Sequence, residues 1–212
     1  MRVAAIVVAA GSGERFGAAK QFLSLGSSSI TAHSVAAARS VASFVIVVVP
    51  AEYDGRGEGA DVVVEGGATR SASVRSGLAH CAGYDVVVIH DAARPLASSD
   101  LFHRVVDALG PDVDGAIPGV AVVDTLKMVS GSLPATVLST VDRDTVVAVQ
   151  TPQAFRLSAL RTAHASGLNA TDDAALLEEI GATVIVVAGE TSNRKITTPD
   201  DLVWAQTQWE LA

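Results

Sequence analysis

A glycine-rich turn with two cationic side chains directly follows the first apolar run of the chain. The run VAAIVV leads into AAGSGERFGAAKQF, which carries Arg15 and Lys20. A strand, a glycine turn and a helix in this order place backbone N–H groups and a helix dipole at the carboxyl end of the strand, where phosphates bind well. The turn therefore predicts a site for a phosphorylated ligand. The alternative is a structural turn whose two cations are solvated.

Two common phosphate-binding patterns do not match this turn. The dinucleotide fingerprint GxGxxG needs a glycine where this chain has Phe16. The P-loop needs glycine before its lysine and Ser or Thr after it, whereas Lys20 lies between Ala19 and Gln21. What remains is G-x-G-x-R followed by a lysine, which adds side-chain cations to the backbone donors.

Composition limits the class of protein and of ligand. The 212 residues, 49% of them hydrophobic, fit one globular domain over residues 1–212. Fifteen cations against twenty-three anions give a net charge of -8, which argues against a nucleic-acid surface, and no apolar run reaches the ~18 residues of a membrane helix. Small anions remain possible ligands, since an ammonium ~4 Å from a phosphate is worth roughly 4 kcal/mol at an effective dielectric of 20.

Cysteine usage favours a cytoplasmic protein, because the single Cys81 cannot form an intramolecular disulfide. The opening MRVAAIVVAAGSG imitates a short signal peptide. Its removal would delete the first strand and leave the glycine turn at a terminus. We therefore expect the opening run to be part of the fold.

Short β-branched runs alternate with alanine-rich stretches of helix length. This alternation predicts an α/β fold of Rossmann-like type, with a mixed, mostly parallel sheet and helices on both faces. We expect strands at Val3 to Val8, Phe44 to Val49, Asp61 to Val64, Asp85 to Ile89, Gly115 to Val123, Thr145 to Val149 and Thr183 to Val187. We expect helices at Ile30 to Ser40, Ser71 to Cys81 and Ser99 to Leu109.

Two later helices have start signals. In TTPDDLVWAQ, Thr198 can cap the helix and Pro199 suits its first position. In TDDAALLEEIG, we expect Thr171 to cap the helix and Gly181 to end it.

The segment 122–141 fits a wound sheet poorly. It reads as two strands around the turn SGSLP, and an isolated hairpin is marginal in water. We expect this arm to protrude and to be covered either by the flank of its own domain or by a second subunit.

Several longer motifs identify a family. In order they are EGGATRSASVRSGL, VVIHDAARPL, VVDTLK, VDRDTVVAVQTPQAF, TDDAALLE and NRKITTPDDL. Together with the glycine turn they resemble the methylerythritol phosphate cytidylyltransferases, which belong to the nucleotidyltransferase superfamily with a glycosyltransferase-A-like fold. The resemblance covers nearly the whole chain. The glycine turn departs from the family pattern because it is shorter and has Ala19, in place of proline, before the lysine.

The resemblance implies an enzyme that joins CTP to 2-C-methyl-D-erythritol 4-phosphate and releases pyrophosphate. The attacking phosphate monoester has a second pKa of about 6 and needs no general base, so the chemistry chiefly requires neutralisation of charge. Arg15 and Lys20 would hold the triphosphate and stabilise the transition state. By resemblance, Lys195 and Arg143 would hold and aim the attacking phosphate.

The remaining site residues follow from position and resemblance. Asp91 ends a strand at the same sheet edge as the glycine turn, which suits a ligand of Mg²⁺ or another divalent cation, although it could instead cap the turn after it. Gly66 and Gly67 would let backbone approach the base, while Arg70 and Ser73 would bond its edge or anchor the loop. The expected substrate-binding and nucleotide-binding residues are Ala9, Ala10, Gly11, Ser12, Gly13, Gly67, Arg70, Ser73, Ala92, Arg94, Asp124, Thr125, Lys127 and Thr151.

By resemblance the arm at 122–141 also joins a homodimer, with Asp124, Thr125 and Lys127 completing the pocket of the neighbouring subunit. Rival functions remain at this point. One is a ribitol phosphate cytidylyltransferase or another sugar-phosphate nucleotidyltransferase of the same fold. The others are a non-catalytic nucleotide-binding module and, least favoured by Phe16, an NAD-dependent oxidoreductase.

Overall fold

The computed structural model describes residues 1–11, 16, 19–53 and 57–211. Its strands are β1 Val3–Val8, β2 Ser24–Leu25, β3 Ser28–Ser29, β4 Phe44–Val49, β5 Val62–Glu65, β6 Val86–Asp91, β7 Gly115–Ala121, β8 Leu126–Ser130, β9 Thr136–Val141, β10 Val147–Val149, β11 Gln153–Arg156 and β12 Val184–Ala188. Its α-helices are α1 Ile30–Ala38, α2 Arg70–Leu78, α3 Ser99–Asp107, α4 Leu157–Ala165, α5 Asp173–Glu179 and α6 Pro199–Glu210.

One large sheet organises the protein. Its strand order is β10-β7-β11-β6-β1-β4-β5, and β12 also pairs with β7. The neighbours of β1, which are β4 and β6, run parallel to it, whereas β10 and β11 are antiparallel to their neighbours. The expected mixed, mostly parallel α/β fold is confirmed.

Helices cover both faces of the sheet, and side chains of β1 alternate between them. Ala5 and Val7 join the core cluster that includes α1 and α3. Ala4 and Ile6 join the cluster that includes α2, α4 and α5. Burial on both faces explains why β1, β4 and β6 are nearly continuous Val and Ile runs.

The sequence missed four of these elements, namely β2, β3, β11 and α4, and misplaced one cap. Strand β11 was not expected because its short run QAFR is partly polar, and helix α4 was not expected either. The polar residue Gln153 is buried in the fold, where its amide donates to the carbonyl of Gln150. The expected cap Thr171 is wrong: Asp172 caps α5, and its carboxylate accepts the N–H of Ala175 at 3.1 Å. Thr198 caps α6 as expected, in a capping box with Asp201.

Some expected strands are shorter than the apolar runs suggested. The expected strand from Thr145 begins at Val147, because a 3-10 turn over Arg143–Thr145 precedes it and the Asp142 side chain accepts the N–H of Asp144. Strand β7 ends at Ala121 rather than Val123. The sheet therefore stops before the arm begins.

The arm is a two-stranded ribbon of β8 and β9, which pair only with each other among the described strands. It exposes large apolar side chains, namely Met128, Val129, Leu133, Val137 and Leu138. The expected hairpin is thus present, and the described part of this chain leaves its apolar side chains uncovered. No helix among residues 1–11, 16, 19–53 and 57–211 is both long and apolar enough to cross a bilayer.

Candidate active site

A cavity of about 700 Å³ opens at the carboxyl ends of β1 and β6. Four segments of the chain converge there. They are the start of the glycine turn, the 3-10 turn over Lys20–Phe22 (the lysine turn), the loop into α2, and the segment before α6. The lining residues are Val8, Ala9, Ala10, Gly11, Lys20, Gln21, Gly67, Ala68, Thr69, Arg70, Ser73, Asp91, Ala93 and Lys195. Lys20 and Lys195, which are far apart in sequence, therefore line one cavity.

Two glycines let the wall of this cavity pack closely. A Cβ at Gly66 would lie 2.3 Å from the Cβ of Ala10, and one at Gly67 would lie 2.5 Å from the Cβ of Ala72. The Ser73 hydroxyl accepts the N–H of Gly67 at 3.2 Å and donates to the carbonyl of Thr69 at 3.0 Å. These contacts fix the loop that precedes α2 against the glycine turn.

A cluster of opposite charges forms the floor of the cavity. Asp91, at the end of β6, accepts from Lys195 Nζ at 2.6 Å and from Arg70 Nε at 3.2 Å. Arg70 also donates to Asp173 at 2.7 Å, and Asp173 bonds His164 at 2.9 Å. Burial opposes ionisation of Asp91, but the charges of Arg70 and Lys195 outweigh it and hold its pKa below the usual range.

A buried amide network fixes the segment that carries Lys195. Gln150 donates to the carbonyl of Glu190 at 2.8 Å and accepts its N–H at 3.1 Å. Asn193, fully buried, donates to the carbonyl of Thr151 at 2.8 Å, while Arg94 donates to the carbonyl of Asn193 at 2.7 Å. Arg94 and Thr151 thus lie behind the Lys195 segment and outside the cavity lining.

The structure separates the site residues expected from the sequence into three groups. Those that line the cavity are Ala9, Ala10, Gly11, Lys20, Gly67, Arg70, Ser73, Asp91 and Lys195. Those that lie outside its lining are Ala92, Arg94, Asp124, Thr125, Lys127, Arg143 and Thr151. Arg15, Ser12 and Gly13 fall outside the described residues.

Four expected residues belong to the arm or its base and are exposed. Arg143 donates to the carbonyl of Val123 at 2.6 Å, and Lys127 donates to Thr140 at 2.5 Å. Asp124 and Thr125 lie just before β8. None of the four contributes to the cavity lining of its own chain.

Sequence reasoning also missed residues that line the cavity, among them Gln21, Thr69 and Ala93. Gln21 follows the expected lysine directly, and Thr69 precedes the expected Arg70. Their positions inside recognised motifs were the available signal. The side-chain partners that give them a role depend on the folded backbone.

His90, next to Asp91 on β6, is buried and neutral. Its Nε2 donates to the carbonyl of Arg94 at 3.2 Å and its Nδ1 accepts from the Thr151 hydroxyl at 3.2 Å, so the neutral ring satisfies both bonds. Burial lowers the pKa of His90 to about 4. Its complete burial and its two hydrogen bonds indicate that His90 serves packing.

This burial predicts a pH-dependent stability. In the unfolded chain this histidine has a pKa of about 6.5 and is protonated below that pH, whereas in the native state His90 stays neutral down to a pH of about 4. The free energy of unfolding should therefore fall by up to about 3 kcal/mol from this residue as pH drops through that window. Urea unfolding at pH 7 and pH 4.5 should show that the free energy of unfolding falls less in His90→Gln than in wild type. Parallel curves for wild type and variant would contradict the assignment.

Comparison with known proteins identifies the family. Residues 3–210 match the family model described as IspD, 2-C-methyl-D-erythritol 4-phosphate cytidylyltransferase. The protein of that name from Geobacillus kaustophilus is 40% identical over 97% of this chain and 96% of its own length. The crystal structure of the cytidylyltransferase from Thermus thermophilus superposes with a TM-score of 0.84 and 37% identity, over 99% of this chain and all of that one.

Some relatives are longer proteins. The bifunctional enzyme IspD/IspF of Anaeromyxobacter dehalogenans is 45% identical over 95% of this chain, which spans 55% of that protein. The chain thus spans about half the length of such bifunctional relatives. The match over residues 3–210 and the resemblance read from the motifs agree: the chain belongs to the 2-C-methyl-D-erythritol 4-phosphate cytidylyltransferase family.

Proposed function

We propose that this chain transfers the cytidylyl group of CTP to 2-C-methyl-D-erythritol 4-phosphate and releases pyrophosphate, as a single domain over residues 1–212. The observation that carries the proposal is the position of Lys20 and Lys195, which line one cavity together with Asp91 and the start of the glycine turn. Two polyanions must meet for this reaction, and local cations offset their repulsion despite the net charge of -8.

The proposed step is an in-line displacement at the α-phosphorus of CTP. An oxygen of the acceptor phosphate forms the new P–O bond while the bond between the α-phosphorus and the bridging oxygen breaks, and pyrophosphate leaves with that oxygen. With a second pKa of about 6, the acceptor phosphate is already mostly ionised at neutral pH. Lys20, with Arg15, would hold the triphosphate. Lys195, with Arg143, would aim the acceptor.

The loop before α2 is the proposed base site. Gly67 exposes backbone at close range, and Ser73 holds that loop by its bonds to Gly67 and Thr69. A cytosine is distinguished from uracil by its exocyclic amino group, which donates to carbonyl oxygens. Backbone carbonyls of this loop would provide that recognition.

A divalent cation such as Mg²⁺ fits the site through one protein ligand. Asp91 is the sole carboxylate among the described lining residues, and each of its oxygens has one cationic partner. A carboxylate oxygen has a second lone pair, and Mg²⁺ is commonly held by one carboxylate together with substrate phosphates and water. When bound, the ion would neutralise charge on the phosphates of CTP. Arg70 and Lys195 would keep Asp91 oriented toward it.

The arm is the proposed dimer contact. An uncovered apolar ribbon is marginal in water, and neither Lys127 on the arm nor Arg143 at its base lines the cavity of its own chain. A second copy of the chain would cover the ribbon, and Asp124, Thr125 and Lys127 would then reach the partner's acceptor site. The buried, unpaired Cys81 supports a cytoplasmic location.

The dimer proposal predicts the effect of a charge on the arm. Leu138 is 60% exposed, so Leu138→Asp should fold normally as a monomer yet disrupt a dimer. We expect light scattering to show monomers, turnover to fall about 10²-fold through lost acceptor positioning, and CTP affinity to stay within about twofold of wild type. Thr136→Asp, at the exposed start of β9, controls for charge alone. A monomer with full activity would contradict the shared site.

The function itself is tested by pyrophosphate release. The purified chain should release pyrophosphate from CTP with 2-C-methyl-D-erythritol 4-phosphate, and much more slowly with ribitol phosphate or a hexose phosphate. UTP and GTP in place of CTP test the base. Faster release with another acceptor would reassign the substrate. CTP binding without release for any acceptor would instead indicate a binding module.

A further inference from the structure

Gln21 is a buried residue of the lysine turn whose side chain binds the backbone of the glycine turn. Its side chain amide donates to the carbonyl of Ala9 at 2.7 Å and to that of Gly11 at 3.0 Å. Only 4% of the residue is exposed. The amide nitrogen therefore donates to the carbonyls of the two residues on either side of Ala10.

The bond to the carbonyl of Ala9 also orients the peptide group between Ala9 and Ala10. In a trans peptide the carbonyl and the following N–H point in opposite directions. Because the carbonyl of Ala9 is turned toward Gln21, the N–H of Ala10 is turned away from it. Within the described part of the chain, the N–H groups of Ala10 and Gly11 have no hydrogen-bond partner, and both residues line the cavity.

The carbonyls of Ala9 and Gly11 thus accept from Gln21, while the N–H groups of Ala10 and Gly11 are available to a ligand. A carbonyl facing a phosphate would repel it, whereas an N–H attracts it. Glutamine suits this task since it supplies two donors from one planar group. An ionised glutamate would supply none and would be repelled by both carbonyls.

The backbone of Gln21 has a separate anchor on α1. The backbone carbonyl of Gln21 accepts the buried Thr31 hydroxyl at 2.6 Å, which ties the turn over Lys20–Phe22 to α1. The anchor to Thr31 uses the Gln21 carbonyl and is separate from the two bonds that its side chain makes to the glycine turn.

We propose that Gln21 is a positioning residue for the nucleotide: it holds the carbonyls of Ala9 and Gly11 away from the triphosphate and so leaves the backbone N–H groups of Ala10 and Gly11 to receive it. This inference rests on the proposed use of CTP. It concerns the phosphates of the nucleotide, so that cytidine, which lacks them, should be far less sensitive to a change at Gln21.

The test compares Gln21→Met with Thr31→Val. Gln21→Met keeps the side-chain length and removes both donors; calorimetry should show the Kd for CTP raised about tenfold or more, with the Kd for cytidine within about twofold. Thr31→Val removes the bond to the carbonyl of the same residue and should lower Tm with little change in the Kd for CTP. Equal CTP affinity in Gln21→Met and wild type would overturn the proposal.

A second variant covers the case in which Gln21→Met does not fold. In Gln21→Glu the carboxylate should weaken CTP binding strongly at pH 8, and protonation, which restores one donor, should reduce the defect relative to wild type near pH 5. A defect independent of pH would contradict the role assigned to the donors. If wild type binds no CTP at all, the proposed function has failed, whereas normal binding in these variants refutes only the role of Gln21.

Discussion

Replacing Lys20 by methionine is expected to lower kcat by about 10²–10³-fold while the fold remains intact. Lys20 lines the cavity and is largely buried, with its ammonium 5.9 Å from the ring centroid of Phe16. An ammonium at ~4 Å from a phosphate is worth roughly 4 kcal/mol at an effective dielectric of 20, and the negative charge on the transferring group grows toward the transition state. Methionine retains the unbranched apolar part of the side chain and removes the ammonium with its charge and its hydrogen-bond donors.

The measurement is steady-state pyrophosphate release together with CTP affinity. Since the charge acts mainly where negative charge accumulates, kcat should fall more than CTP affinity does. The matched control is Arg39→Met, which removes an exposed cation that bonds Asp61 and the carbonyl of Gly59, outside the cavity. Arg39→Met should leave kcat within about twofold of wild type. A fully active Lys20→Met would remove Lys20 from the proposed mechanism.

The sequence predicted the parts of the fold that follow from local patterns. Strands β1 and β4 have the expected bounds, because an uninterrupted Val and Ile run between helices has few other structures available to it. The cap of α6 was equally local, since Thr198 and Pro199 lie at its first turn. Strand β11 is only four residues long and partly polar, so no pattern marked it.

The site was predicted only in outline. Lys20 and Lys195 were assigned to one site by the resemblance of their motifs, since spacing says nothing about residues so distant in sequence. Arg70 was expected at the base edge or as a loop anchor, and its ion pairs with Asp91 and Asp173 depend on the fold. Gln21 and Gln150 were not singled out, because an amide gains its role only from the carbonyls that the fold places beside it.

Asp91 connects the charge cluster to the chemistry. Its carboxylate is the point where the loop before α2 and the segment before α6 meet, through Arg70 and Lys195. Because its pKa is held below the usual range, Asp91 is ionised at neutral pH. The stability it contributes is present above the unfolded pKa of about 4 and is lost as pH falls through the lower native value. A neutral residue at this position therefore changes both folding and catalysis.

Asp91→Asn should accordingly lower the free energy of unfolding by about 3–5 kcal/mol, because it leaves Lys195 without its counter-charge and removes one of the two carboxylates that pair with Arg70. Turnover should fall about 10³-fold, since the proposed ligand of the divalent cation is lost as well. Urea unfolding measures the first effect, and pyrophosphate release over a range of Mg²⁺ concentrations measures the second.

The control that separates these two roles of Asp91 is Asp173→Asn. Asp173 is buried, shares Arg70 with Asp91 and does not line the cavity. Asp173→Asn should therefore lose stability to a similar extent, lose only about tenfold in turnover and keep the Mg²⁺ dependence of wild type. Asp91→Asn should instead need more Mg²⁺ for half-maximal turnover. Equal losses of turnover and an unchanged Mg²⁺ requirement in both variants would mean that Asp91 only holds Arg70 and Lys195 in place.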